Sequence, residues 1–335
     1  MTAPAWEKLA DPEGVRPGME NFSFENIRVL VGDPNREVRD AIRGGLYGQG
    51  FRYIMVTDRM SVVETAVATN KVDLMVCDTE LPDGDLYDLV HKIRHHELGD
   101  NPFILVTALI TAPTPKMVKK IFDAGCDDLI QKPISTGLLF ERVLNLARNR
   151  KPFVVTSDYI GPDRRTEPQP GTQQNPPIDV PNPLKTKTDD TSEVDLQAEI
   201  DKVANVLNEQ KMERHAHQIN HLVERIVPLY EDGTADESIV RHLDRLLYVS
   251  EDISRRLEGT RYHHVGELCQ SMVNVVRAVR QAPLSPDRKD IALMPALAQA
   301  VKCAFGPQED VVALSRDISA TVERRTAKDA HRRVA

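Results

Sequence analysis

The sequence predicts a doubly wound α/β domain with a five-stranded parallel sheet, followed by an all-α helical bundle. Three observations carry this reading. Residues 26–150 alternate short apolar runs with amphipathic stretches at regular spacing. Residues 151–192 are rich in proline, threonine, glutamine and asparagine and poor in apolar side chains. Residues 193–330 place apolar residues at helical spacing and carry almost no strand signal.

The elements of the first region follow in order. A run of four to eight apolar residues that stops at a turn signal reads as a buried parallel strand. Such runs fall at 27–31, 52–56, 72–77, 102–107 and 127–131. Helical stretches lie between and after them, at about 35–48, 60–69, 85–97, 115–124 and 136–149. The last shows the pattern well, with Leu138, Leu139, Val143, Leu146 and Ala147 on one face. Five βα units in succession imply a parallel sheet covered by helices on both sides.

Residues 1–25 read as a polar lead-in with no charged-then-apolar signal pattern. Residues 151–192, with Pro162, Pro168, Pro170, Pro176, Pro177, Pro181 and Pro183, read as an extended, flexible linker. Within it, Tyr159-Ile160-Gly161-Pro162-Asp163-Arg164-Arg165 is less bland: a Gly-Pro turn between an apolar pair and a basic pair could dock on a surface. The linker reading is the simpler one.

From 193 to 330, apolar series run Leu196, Ile200, Val203, Leu207 and then Ile219, Leu222, Ile226, Leu229. Others run from Ile239 to Leu257 and from Val265 to Val279, with shorter ones around Leu293 to Val301 and Val311 to Val322. Polar breaks fall at Asp232-Gly233 and Pro283 to Pro286. Amphipathic helices of this kind stack into a bundle of four or five members. Its long first helix makes self-association as a homodimer a natural expectation.

Bulk properties exclude several classes. Of 335 residues, 41% are hydrophobic and 28% charged, as in soluble globular proteins. The net charge of −8 argues against nucleic acid as a partner of the whole chain. No apolar run approaches the ~20 residues that span a bilayer. Cys77, Cys126, Cys269 and Cys303 sit in or beside apolar segments and form no C-x-x-C pair, so they read as buried thiols. A cytoplasmic location follows as the expectation.

The chemistry is concentrated at strand ends. Asp33 follows the first strand, Asp78 ends the third, Thr107 ends the fourth, and Lys132 with Pro133 follows the fifth. Open α/β sheets bind their ligands at the carboxyl edge, so these four residues should converge there. Paired carboxylates suit Mg²⁺, which takes oxygen ligands and keeps several waters. Asp78 is placed to attack a phosphoryl group and form an acyl phosphate. Lys132 supplies fixed positive charge and Thr107 a hydroxyl donor, and phosphoryl transfer asks for little beyond positioning and charge stabilisation.

With these residues quoted, residues 26–150 resemble the receiver domain of two-component response regulators, a flavodoxin-like fold. The resemblance covers a little over a third of the chain. It implies that Asp78 is the phosphoacceptor, Asp33 a direct Mg²⁺ ligand, Thr107 the switch hydroxyl and Lys132 the family's lysine, before a proline often in cis. Leu81-Pro82 with Gly84 matches the loop after the phosphoacceptor, and the backbone of Glu80 would be the third metal ligand. A sensor histidine kinase is the implied phosphodonor. Two positions depart. The family usually has two adjacent acids after the first strand, and here the first is Gly32, a change expected to weaken Mg²⁺ binding without removing the site; the carboxylate of Glu80 is the candidate to compensate. Leu129 stands where the family often has an aromatic, so an aromatic switch is absent.

The bundle offers fewer leads. His217 and His221 are i, i+4 neighbours, but beside Glu213, Arg214 and His215 they read as a solvated helix face. A histidine phosphotransfer domain is also a bundle, and His221, His242, His263 and His264 are its formal candidates. Its usual His-Lys-Gly pattern is echoed only by Leu257-Glu258-Gly259, with Arg255 in the histidine's place, which argues against active phosphotransfer. Glu267 and Gln270 have a spacing that would suit an aspartyl-phosphate phosphatase, a common chance pattern. The basic stretch from Arg324 to Arg333 could touch nucleic acid or an acidic partner, against the simpler reading of a frayed, solvated helix end. The leading expectation is a response regulator, not an enzyme in its own right, that signals through an unidentified protein partner of its bundle. The alternatives are a degenerate receiver acting as a constitutive scaffold, and a bundle with phosphatase or phosphotransferase activity.

Overall fold

The computed structural model describes residues 23–69, 72–165, 176–186, 193–257, 260, 262 and 265–305. The expected lead-in up to residue 22, Glu258-Gly259, His263, His264, the series from Val311 to Val322 and the basic stretch 324–333 lie outside the described residues. The chain divides into two compact units, Met1–Leu207 and Asn208–Ala335.

The first unit is built on five parallel strands: β1 (Arg28–Gly32), β2 (Tyr53–Thr57), β3 (Leu74–Asp78), β6 (Leu105–Ile110) and β7 (Asp128–Gln131). Their order is β2-β1-β3-β6-β7. The order reverses at β1, so the crevice at that switch point opens at the carboxyl ends of β1 and β3. Side chains alternate across the sheet as the strand period requires. Val29, Val31, Leu74, Val76, Leu105 and Leu109 pack against α1 (Arg36–Gly48) and α5 (Thr136–Arg148). Leu30, Met75, Cys77, Val106, Ala108 and Ile110 pack against α2 (Met60–Ala68), α3 (Leu86–Arg94) and α4 (Pro115–Asp123).

Local sequence fixes where these helices start. Asn35, Asp85, Thr114 and Ser135 each accept a backbone N–H of the first turn of α1, α3, α4 and α5. This satisfies donors that a helix leaves unpaired, and Pro115 at the start of α4 loses nothing by lacking one. Two two-residue strands, β4 (Glu80–Leu81) and β5 (Gly84–Asp85), form a small hairpin after Asp78.

The segment expected as a flexible linker is partly folded. Strands β8 (Phe153–Val155) and β9 (Ile160–Pro162) form an antiparallel hairpin, and Phe153 is also bridged to Ile178. The short helix α6 (Pro183–Thr186) inserts Leu184 into the α1–α5 core. Asn182 donates to the carbonyls of Leu146 and Ala147 at 2.9 and 3.0 Å, closing the end of α5. The segment has few apolar residues, as composition indicated, but Phe153, Val155, Ile160 and Leu184 suffice because each is fully or nearly buried.

Helix α7 (Glu193–Glu231) is continuous, so the two apolar series read from sequence lie on one helix. Its early residues Leu196, Ile200, Ala204 and Leu207 pack with Phe103, Phe153, Val155 and Ile160 in the first unit. The unit boundary therefore falls inside α7, after Leu207, and not at the expected 192–193.

In the second unit the rest of α7 joins α8 (Ile239–Arg256), α9 (Gly266–Gln281) and α10 (Arg288–Phe305) around one core. Gly233, at φ +66°, turns the chain after α7. No helix among the described residues is long and apolar enough to cross a membrane.

Candidate functional site

The carboxyl ends of β1 and β3 and the loop after β7 bring Asp33, Asp78 and Lys132 together. The Lys132 ammonium contacts both carboxylates through their Oδ2 atoms. Each carboxylate uses its other oxygen to accept a backbone N–H: Asn35 to Asp33 and Glu80 to Asp78, both at 2.8 Å. Asp33 is fully buried and Asp78 nearly so. Burial opposes the charge on Lys132, but the two carboxylates outweigh it and hold the ammonium above its ordinary pKa. The Lys132–Pro133 peptide is cis.

Thr107, expected at a strand end, is not brought to this edge: β6 runs on to Ile110, Thr107 lies opposite Val76 while Asp78 lies opposite Leu109, and the hydroxyl residue that follows the strand is Thr111. Thr107 is fully buried on β6, and its hydroxyl makes no hydrogen bond among the described residues. A buried hydroxyl without a partner is costly.

Glu80 is exposed, and its carboxylate joins no cluster. Among the described residues no three His, Cys, Asp or Glu side chains gather at one point. The acidic donors at the site are thus the two carboxylates of Asp33 and Asp78. Their hard oxygens, converging on one cation, are the donor type that Mg²⁺ takes, with backbone and water completing its shell.

Gly32 has a steric reason. A Cβ there would lie 2.7 Å from Cys77 Sγ and 3.1 Å from Leu81 Cδ1. The room for a side chain is filled by Cys77 from β3 and by Leu81 from the hairpin. Burial, with Asp78 beside it, pushes the Cys77 thiol far up and keeps it neutral.

The sequence reading missed how the hairpin is tied down. Asp83, at φ +70°, accepts Met60 N–H at 2.8 Å and Ser61 O–H at 2.7 Å, which fixes the hairpin to the start of α2. Asp85 accepts Tyr87 N–H at 2.7 Å and pairs with Lys120 of α4 at 2.9 Å. The Lys120 ammonium also sits 3.9 Å above the Tyr87 ring. The segment after Asp78 therefore touches α2, α3 and α4. Asp85 before an apolar run was a legible cap; the Lys120 contact spans 35 positions and has no local signal. Leu129 is partly buried against the α2–α3–α4 core.

The family model for the response regulator receiver domain matches residues 29–144. Residues 29–144 are a receiver domain. The response regulator PmrA of Pseudomonas aeruginosa is 32% identical to this chain over 124 residues, which is 36% of this chain and 53% of that protein. A cyclic di-GMP phosphodiesterase of Thermotoga maritima is 28% identical over 134 residues, 40% of this chain and 34% of that protein. A solved two-component response regulator from Clostridium difficile is 21% identical, with a TM-score of 0.33, covering 37% of this chain and 97% of that one. The chain spans about half the length of the first curated relatives it matches, or less. The helical unit lies outside the residues matched by the receiver model.

Candidates in the helical unit are scattered. His217 and His221 are exposed, as expected for a solvated face, and His242 is half-buried. His215 corrects the expectation for its neighbours: it is fully buried, and its Nε2 lies 2.6 Å from Asp252 Oδ2. Arg256 Nε donates to the same oxygen at 2.8 Å, and Arg255 contacts Oδ1. Glu267 and Gln270 are exposed on α9, and the Gln270 amide donates to Asn274 at 3.2 Å.

Proposed function

We propose that this chain is a phosphorylation-controlled signalling protein whose receiver accepts a phosphoryl group on Asp78 from a histidine kinase. The observation that carries the proposal is the shared contact of Lys132 with Asp33 and Asp78. It leaves one carboxylate at the mouth of the sheet with its charge balanced and its position fixed from two sides.

In the reaction, an Asp78 oxygen attacks phosphorus in line with the leaving group. The new bond is O–P, and the bond broken joins phosphorus to the donor, a phosphohistidine nitrogen. The imidazole leaves with the bonding pair and takes up a proton from solvent. Asp78 then carries an acyl phosphate. Lys132 moves its contact from the Asp78 carboxylate to a phosphoryl oxygen and keeps Asp33. Mg²⁺, held by Asp33, Asp78 and the backbone carbonyl of Glu80, would neutralise charge on the transferring group. Thr107, buried inside β6 opposite Val76, is not placed to reach a phosphoryl oxygen on Asp78. The segment from Glu80 to Asp85 carries the change to α4 through Asp85 and Lys120. The helical unit delivers the output by contact with another protein.

Incubation of the full chain with a small phosphodonor and Mg²⁺, read on a phosphate-retarding gel, tests this. A retarded band in wild type that is lost in Asp78→Ala is expected; no band in folded wild type counts against it.

A second reading rests on Gly32. With that position closed by Cys77 and Leu81, Mg²⁺ has one acid fewer than receivers usually offer. The receiver then serves as a scaffold without phosphorylation. Mg²⁺ titration separates the two, since ordinary millimolar-range binding removes the scaffold reading.

A further inference from the structure

Two helices of the second unit carry a proline in mid-course: Pro228 in α7 and Pro295 in α10. Both are exposed, and both line one groove of about 450 Å³. A proline has no N–H and cannot return a hydrogen bond to the carbonyl four residues earlier. The carbonyls of Glu224 and Ile291 thus lose their helical donors, and of these two residues Glu224 lines the groove.

Glu224 also brings a carboxylate. One of its oxygens accepts Asn220 Nδ2 at 2.6 Å, and the other accepts no hydrogen bond among the described residues. Val223 and Val227, both buried, supply an apolar floor, and Gln299 closes the far side. None of the lining residues is cationic. The groove is therefore mostly apolar, with the Glu224 carboxylate as its one charged group and no positive charge. That combination suits an arginine: its methylene stem covers apolar surface, and its guanidinium offers five donors and no acceptor.

This chain has such a segment, and the receiver chemistry does not use it. Residues 324–333 hold Arg324, Arg325, Lys328, Arg332 and Arg333 against a single acid, Asp329. Residues 306–323 separate it from α10. Those residues could span up to about 60 Å if extended. Pro295 lies only about 15 Å back along α10 from Phe305. Reach is no obstacle.

We propose that the groove between α7 and α10 is the docking site of this chain's own basic segment, residues 324–333. An arginine of that segment donates to the Glu224 carboxylate and to the carbonyl released by Pro228.

The test uses the full chain with a photoreactive benzophenone amino acid in place of Gln299, irradiated as an equal mixture of light and heavy isotope-labelled protein. The expected result is cross-links to residues 324–333 within single chains. They should fall at least fivefold in Glu224→Gln and in Pro228→Ala. The second variant restores an N–H to α7, so its loss of capture is not a loss of fold. The same photoreactive group at Gln270, exposed on α9, should capture the segment no more than background. Cross-links between light and heavy chains would overturn the proposal in favour of a second copy as occupant. Capture that misses residues 324–333, or that ignores both variants, would overturn it outright.

Discussion

Arg94 donates its Nη2 to Asp127 Oδ2 at 2.8 Å with both side chains at 2% exposure or less. The rest of the guanidinium is equally committed: Nε donates to Gly125 O at 2.9 Å, and Nη1 to the carbonyls of Pro102 and Ile104. Asp127 Oδ2 also accepts Val106 N–H at 2.8 Å. One arginine of α3 thus ties the entrance of β6 to the entrance of β7. Removing one member of a buried pair costs about 3–5 kcal/mol when the other charge is left uncompensated, and Arg150, buried 3.5 Å from Asp127 Oδ1, retains part of the compensation and sets the lower end of that range. Arg94→Met is expected to destabilise the receiver by that order, measured by urea unfolding at neutral pH, while an exposed change such as Lys116→Met shifts it by no more than about 0.5 kcal/mol.

The hairpin β8–β9 is held by a close backbone approach. A Cβ at Gly125, where φ is +97°, would sit 2.8 Å from Ile160 O, and one at Gly161 would sit 2.9 Å from Gly125 Cα. Arg164 seals the contact, donating to Cys126 O at 2.5 Å and stacking 3.9 Å above Phe122. Gly125→Ala combines backbone strain with a clash and should cost more than about 1 kcal/mol. Amide hydrogen exchange should report loss of protection across 153–162, with strands β1 and β3 retained.

These features mark where the sequence was legible and where it was not. Strands β1, β3 and β7 were readable because each is an apolar run ending at a polar residue, and Asp33, Asp78 and Lys132 were readable for the same reason; β6 was expected at 102–107 but runs Leu105–Ile110, because Thr107 is a polar residue inside the run and not its end. Periodicity and strand ends are local. Arg94 was not readable, because a charged residue near the end of α3 looks solvated until Asp127, 33 positions away, is brought beside it. Tyr159 to Arg165 looked like a linker because its anchors, Gly125, Cys126 and Phe122, lie far back in the chain. The boundary inside α7 left no trace, since helical spacing continues unbroken across Leu207 while the packing partners change.

His215 and Asp252 give the helical unit a pH dependence. Burial, against the hydrogen bond from Asp252, lowers the His215 pKa, so the ring stays neutral in the fold. Burial opposes ionisation of Asp252, but the bond from His215 and the Arg256 guanidinium outweigh it and hold the carboxyl far below its usual range. The unfolded histidine takes up a proton near pH 6.5 and the folded one resists. Stability should therefore fall as pH drops below about 6.5, by up to about 1.4 kcal/mol per pH unit until the folded ring titrates. Asp252 adds its own loss only near and below about pH 4, where the unfolded carboxyl protonates. Exchange protection of α8 between pH 7.5 and 5.5 checks this, and His215→Gln should flatten the slope.

Gly32 and Cys77 should behave as a coupled pair. Gly32→Asp alone is expected to cost about 1–3 kcal/mol through overpacking against Cys77 and Leu81. Cys77→Ala opens the space, so Gly32→Asp/Cys77→Ala should recover part of the loss and bind Mg²⁺ more tightly than wild type. Isothermal titration with Mg²⁺ on the three variants reads the effect, and equal affinity in all would remove the steric account.

The central claim is that Asp78, held by Lys132, is the residue that takes the phosphoryl group. The most direct measurement is mass-spectrometric mapping of the full chain after reaction with a small phosphodonor and Mg²⁺, with hydroxylamine used to identify acyl phosphates. The account predicts one hydroxylamine-sensitive phosphate, on Asp78, formed more slowly in Lys132→Ala and absent in Asp78→Ala. A phosphate on another residue, or none in a folded wild-type chain, would contradict it.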